Sequence, residues 1–123
     1  MTFLKRWLPV LLWAAVILSS ANDSFSAQRS GGLFRWIFGR DLPYPVHVAA
    51  RKSVHVAAYG VLGWLAWRAR RGFVVPVAIA IAVASADETL QSFTSMRTGL
   101  FADVMLDGCA ALLVVASCER RTR

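Results

Sequence analysis

Apolar residues come in four blocks along this chain, divided by short polar or basic groups. The first runs from Trp7 to about Ser20 and follows Lys5 and Arg6. The second extends from about Val46 to Trp67; its later part is apolar apart from His55, Tyr59 and the tryptophans, and its earlier part carries Arg51 and Lys52. The third starts at Phe73, holds Pro76 in its first turn, where a missing N–H is tolerated, and continues as Asp87-Glu88-Thr89-Leu90-Gln91-Ser92-Phe93. The fourth runs from about Gly99 to Cys118, interrupted by Asp103 and Asp107. Each uninterrupted apolar stretch is only about 14 residues, whereas a hydrocarbon core of about 30 Å needs roughly 20 per helix. The last three blocks reach that length only if their polar ends belong to the helices. The pattern predicts an all-α integral membrane bundle of four transmembrane helices in one domain over residues 1–123. The helices are expected at about 7–20, 46–67, 73–93 and 99–118, with an extracytoplasmic loop at 21–45.

The first block is also compatible with a signal peptide, because Ser19-Ser20-Ala21 offers small residues at cleavage spacing. An uncleaved helix gives the later blocks the better topology. Within the loop, Leu33-Phe34-Arg35-Trp36-Ile37-Phe38 mixes large apolar and basic residues. That suits either a short segment lying among lipid headgroups or a loop resting on the helix ends.

Composition agrees with a membrane protein. Hydrophobic residues make up 57% of the chain and charged residues 17%, against about 25% charged in soluble domains. The net charge of +7 does not imply nucleic acid, since the basic residues form no stripe among aromatics. They sit in small groups between apolar blocks, as topogenic charges do. Cys109 and Cys118, if on one helix, lie about 13 Å apart along its axis. That is too far for a disulfide, so they count as small apolar fillers.

With the N-terminus in the cytoplasm, Lys5, Arg6, Arg68, Arg70, Arg71, Arg120, Arg121 and Arg123 all fall inside, eight of the fourteen basic residues. Of the seven acids only Glu119 joins them. Short basic loops on the cytoplasmic side are what the positive-inside rule describes, so both termini are placed there and the chain in the inner (cytoplasmic) membrane. The remaining polar residues then gather near the outer ends of three helices. Lys52, His55 and Tyr59 share one side of the second helix at i, i+3 and i+7. Asp87 and Gln91 stand at i, i+4 on the third beside Glu88, and Asp103 and Asp107 at i, i+4 on the fourth. A charge within a bilayer faces a partner or a water-filled cavity, so one shared polar pocket is expected from these residues together with Arg97. The competing expectation is that the same charges are ion pairs that lock the bundle. Ala78, Ala80, Ala82 and Ala84, with Gly60 and Gly63, are expected at close helix contacts. Trp7, Trp13, Trp64 and Trp67 are expected at the interface or facing lipid.

Two stretches carry a resemblance to a known family. The run Arg51-Lys52-Ser53-Val54-His55-Val56-Ala57-Ala58-Tyr59-Gly60-Val61-Leu62-Gly63 resembles the (R/D)K-x-x-H-x-x-x-Y-x-x-L-G signature of the VanZ-like family. Asp87-Glu88-Thr89-Leu90-Gln91-Ser92-Phe93 resembles that family's DE-x-x-Q-x-F, and Arg97 and Asp103 approximate its R-x-(G/S)-x-x-D. Leu18-Ser19-Ser20 is similar to the Ser-Ser that ends the family's first helix. One position departs: Asp107 stands where the family often has Asn, ahead of the expected Gly108. The extra carboxylate changes the charge of the pocket or is protonated there. The resemblance implies a four-helix integral membrane protein. It does not imply glycopeptide resistance, the association of the family's namesake.

Three functions compete at this level. The pocket could bind or process a polar group at the outer leaflet, a lipid-linked cell-envelope precursor being a fitting partner. Lys52 and Arg97 would then hold an anionic head group, while Asp87, Glu88 and His55 orient it or exchange protons. The chain could instead be a structural or assembly subunit beside another membrane protein. Catalysis is the third, but there is no His-Glu-x-x-His, phosphate-binding glycine loop or nucleophile elbow. No cofactor or metal is called for by a motif; one histidine with several carboxylates is a chemically acceptable ligand set whose geometry sequence does not fix.

Overall fold

The computed structural model describes residues 2–20, 32, 35–40, 43–94 and 101–123, without the side chains of 20, 44, 47, 48, 51, 91–94 and 101–103. Four main helices organise them: α1 (Phe3–Ser20), α2 (Tyr44–Ala69), α3 (Val74–Thr94) and α4 (Phe101–Thr122). Each extends past the apolar block from which it was expected or takes in its polar neighbours. The α1 helix begins at Phe3 and includes Lys5 and Arg6. The polar residues Lys52, His55, Asp87, Glu88, Asp103 and Asp107 all lie inside helices.

Local chemistry explains several boundaries. Pro43 precedes α2 and Pro45 lies in its first turn, where fixed φ is pre-organised for a helix and no N–H is wasted. The last turn of α2 closes as the Arg70 N–H donates to the Ala66 carbonyl at 2.9 Å. Gly72 follows at φ +120°, backbone that a side chain would strain. So short a connection makes α3 the antiparallel neighbour of α2. Most of the predicted loop at 21–45 lies outside the described residues. Residues 35–38 form one helical turn, which ends at Gly39 with φ +69° and a Gly39 N–H bond to the Arg35 carbonyl of 2.8 Å. Trp36, Ile37 and Phe38 are exposed on it.

Helix α2 is the centre of the bundle, touching α1, α3 and α4, with its broadest contact against α4. Those two helices run parallel: His55 faces Asp107, Gly63 meets Ala111 and Trp67 bonds Glu119. Small residues let the backbones close. A Cβ on Gly63 would lie 3.1 Å from both the Cα and the carbonyl oxygen of Ala111, whereas one on Gly60 would meet only the Val114 side chain at 3.4 Å. The core is correspondingly lean: Val10, Ile17, Leu62, Ala66, Ala80, Ala84 and Ala111 are buried around Tyr59. Large apolar side chains point the other way. Leu4, Leu8, Leu11, Leu12, Val54, Val74 and Leu113 are among many that are exposed.

Two expectations need correction. Of the alternating alanines, Ala80 and Ala84 are buried but Ala78 and Ala82 are exposed. A spacing of two turns a helical residue by about 200°, so only the i, i+4 pair shares a packed face. Trp13 and Trp67 are also not simply outward-facing. The Trp13 indole N–H donates to the Ala58 carbonyl at 2.9 Å, and buried Trp67 donates to Glu119 Oε2 at 3.0 Å. An indole N–H takes a partner when it is drawn inward. Trp64 is exposed as expected.

Among the described residues no helix is long and apolar enough to cross a membrane. The α2, α3 and α4 helices have 26, 21 and 22 residues, a rise of roughly 32–39 Å.

The α2–α4 contact gives a direct test. Gly63→Val should lower the unfolding midpoint of the purified protein, at a cost of about 1–3 kcal/mol, because backbone cannot yield as a side chain can. Gly60→Ala should stay within about 1 kcal/mol of the parent, since Val114 can shift and alanine favours the helix. Circular dichroism melts of both variants compare the two directly.

Candidate functional site

At the end of the bundle away from Trp67, three helices each contribute one ionisable group to a common point. Helix α2 supplies His55, α3 supplies Asp87 and α4 supplies Asp107. His55 Nδ1 stands 3.9 Å from Asp87 Oδ2 and 3.8 Å from Asp107 Oδ2. One nitrogen or oxygen from each of the three lies within 4.8 Å of the others. Both aspartates are buried, at 3% and 5% exposure, while the His55 side chain is 37% exposed.

Tyr59 is the element that aims this cluster. It lies one turn below His55 on α2, and the two rings stack with centroids 6.4 Å apart and planes 14° from parallel. Fully buried, it donates its phenol O–H to Asp87 Oδ2 at 3.1 Å. A buried carboxylate is tolerated only when hydrogen-bonded or paired, so this contact fixes both the Asp87 rotamer and the registry of α3 against α2. Ala84 is buried one turn before Asp87, on the same face of α3. The face that packs therefore carries the acid.

The other expected site residues divide into two groups. Glu88 is partly buried next to Asp87. Lys52 is exposed and forms no ion pair with a described residue; three residues before His55, it lies about 4.5 Å further along α2. Gln91 and Asp103 belong to α3 and α4, but their side chains lie outside the described residues. Arg97 lies outside them altogether. The structure thus gathers His55, Tyr59, Asp87 and Asp107. Among the described residues the centre of this cluster is made of two aspartates and a histidine. Asp107, where the sequence departs from the family pattern, is one of its three corners.

A second polar contact was missed from sequence. Trp67 and Glu119 bond across α2 and α4, and the Arg71 guanidinium carbon sits 4.0 Å from the Trp67 ring centroid. It lies roughly 18 Å along α2 from His55, among Arg68, Arg70, Arg120 and Arg121. Glu119 as the single acid in a basic cluster was the available signal.

The Tyr59–Asp87 bond is measurable as a coupling. In a double-mutant cycle of Tyr59→Phe and Asp87→Asn, an interaction of about 1–3 kcal/mol in unfolding free energy is expected, in the range for hydrogen bonds to charged groups. Additive effects would mean that the phenol does not hold the carboxylate.

No curated protein and no solved structure matches the chain. A family match does exist, described as VanZ/LLP1 and running over residues 6–120, which takes in all four helices and every residue of the cluster. The chain belongs to the VanZ/LLP1 family.

Proposed function

We propose that this chain is a multi-pass protein of the inner membrane whose helices form a polar pocket on the non-cytoplasmic side, and that the pocket binds the polar part of a lipid-linked cell-envelope molecule. The observation that carries the proposal is the meeting of His55, Asp87 and Asp107 from three helices at one end of an otherwise apolar bundle. Family membership supports the membrane half of the reading, since the family is membrane-associated. So does the inverted packing, with small residues inside and large apolar ones exposed, as between helices in lipid. Exposed Trp36, Ile37 and Phe38 on a helical turn suit the headgroup region.

Orientation follows from the charges. Parallel α2 and α4 carry Arg68, Arg70, Arg71, Arg120, Arg121 and Arg123 to the end opposite the cluster, and the positive-inside rule makes that end cytoplasmic. The pocket then opens outward, at the depth of an outer-leaflet headgroup. A fluorescent protein fused after Arg123 should therefore fold and fluoresce, while alkaline phosphatase fused there should be inactive. The reverse pattern would overturn the orientation.

A structural role is the second reading, and the buried Tyr59–Asp87 bond favours it specifically. The two separate by experiment. Native mass spectrometry of the detergent-purified chain should show a retained lipid, lost in Lys52→Ala and Glu88→Gln at unchanged protein level. Retention of the same lipid by both variants would sink the pocket reading. Disappearance of the protein itself on Asp87→Asn, with co-purification of a stoichiometric partner from the parent, would favour assembly.

A further inference from the structure

We infer that His55, Asp87 and Asp107 form a binding site for one divalent cation of the zinc or manganese class. Donor chemistry comes first. A neutral imidazole nitrogen and two carboxylate oxygens are a ligand set that zinc, manganese and ferrous ions accept. Each donor comes from a different helix, so the three approach one point from different directions and leave coordination positions on the exposed side of His55.

The distances agree. Around an ion with bonds of about 2.0–2.1 Å, tetrahedral ligand atoms stand about 3.4 Å apart. The imidazole nitrogen is 3.9 Å and 3.8 Å from the two carboxylate oxygens. Bonding distance is reached by shifts of about half an ångström at the imidazole and by closing the two carboxylate oxygens, which lie within 4.8 Å of each other, by up to about 1.4 Å. At their present separations the same atoms are too far apart for hydrogen bonds.

A second observation is independent of that spacing. Asp107 is 5% exposed, yet it accepts no hydrogen bond from a described residue, and its facing group is the same His55 nitrogen at 3.8 Å. A carboxylate this far buried is stabilised by a counter-charge or by donors, and a divalent ion beside the imidazole supplies that charge. Tyr59 adds the outer support that ligating carboxylates have, because its phenol holds the same Asp87 Oδ2 that faces His55.

In the proposed pocket, a divalent ion held by the two carboxylates would present positive charge to an anionic head group through its open positions. This last point rests on the pocket reading; the cation site itself does not.

The test uses the full chain, purified in detergent, stripped with chelator and dialysed. Equilibrium dialysis against Zn2+ or Mn2+ with elemental analysis should give one ion per chain, unchanged in Cys109→Ser/Cys118→Ser. Asp107→Asn and His55→Gln should each lose at least about 100-fold in affinity. Tyr59→Phe should weaken binding by about 10–100-fold, as for other supports of a metal ligand. Zinc should also raise the thermal midpoint of the parent chain, since an ion that binds only the folded state stabilises it. That readout needs no variant to fold. Failure of the parent to bind, an unmoved midpoint, or full binding by helical Asp107→Asn would each overturn the proposal. Loss of zinc binding when the cysteines are replaced would also overturn it. Lipid retained by a chain that binds no metal would leave the pocket reading standing and remove the cation.

Discussion

A carboxylate buried at the junction of three helices constrains everything around it. Asp87 is 3% exposed and accepts the Tyr59 phenol at 3.1 Å, so sliding or rotating α3 against α2 would break that bond and leave a buried polar group short of a partner. That penalty is far steeper than the loss of one apolar contact. It sets the registry of α3 against α2. His55 stacks on the same tyrosine, and Asp107 is drawn to the same point from α4. The residue that aligns the helices also shapes the site.

Close packing makes this alignment possible. Gly63 and Ala111 let α2 and α4 approach to backbone contact, and Ala80 and Ala84 are buried on α3. With larger residues at these positions the helices would stand further apart, and the side-chain atoms of His55, Asp87 and Asp107 could not lie within 4.8 Å of one another. The lean core and the polar cluster therefore depend on each other. The opposite end is held differently, by the Trp67 bond to Glu119 and by Arg71 against the indole ring. There the charges lie beside basic residues at helix ends, so they need less protein around them to stay satisfied.

Among the described residues the cluster has two aspartates and a histidine at its centre, with Lys52 exposed one turn away. Sequence spacing places residues on a face, but a face of a 26-residue helix extends from the packed middle to the open end. Lys52 and His55 share that face yet differ by about 4.5 Å in depth. In this bundle that distance separates a residue at the rim from one at the junction.

By itself the sequence determined the four-helix, all-α class, the inclusion of polar residues within the helices, and the family. These are legible because they depend on local pattern: block length, basic flanks, and the spacing of His55 to Tyr59 and of Asp87 to Gln91. It also pointed to one cluster of Lys52, His55, Tyr59, Asp87, Glu88, Gln91, Arg97, Asp103 and Asp107, since charges in apolar helices must find each other; His55, Tyr59, Asp87 and Asp107 meet in the structure. Only the tertiary structure decided which charges meet, because that depends on how three helices are rotated and how deeply each residue sits. The same applies to Trp13 and Trp67. Their composition suits a membrane interface, but a neighbouring carbonyl and carboxylate, brought close by packing, turn both indoles inward. Ala78 and Ala82 are the converse case: a small side chain permits close contact, and only the rotation of α3 determines whether a neighbour is there to make it.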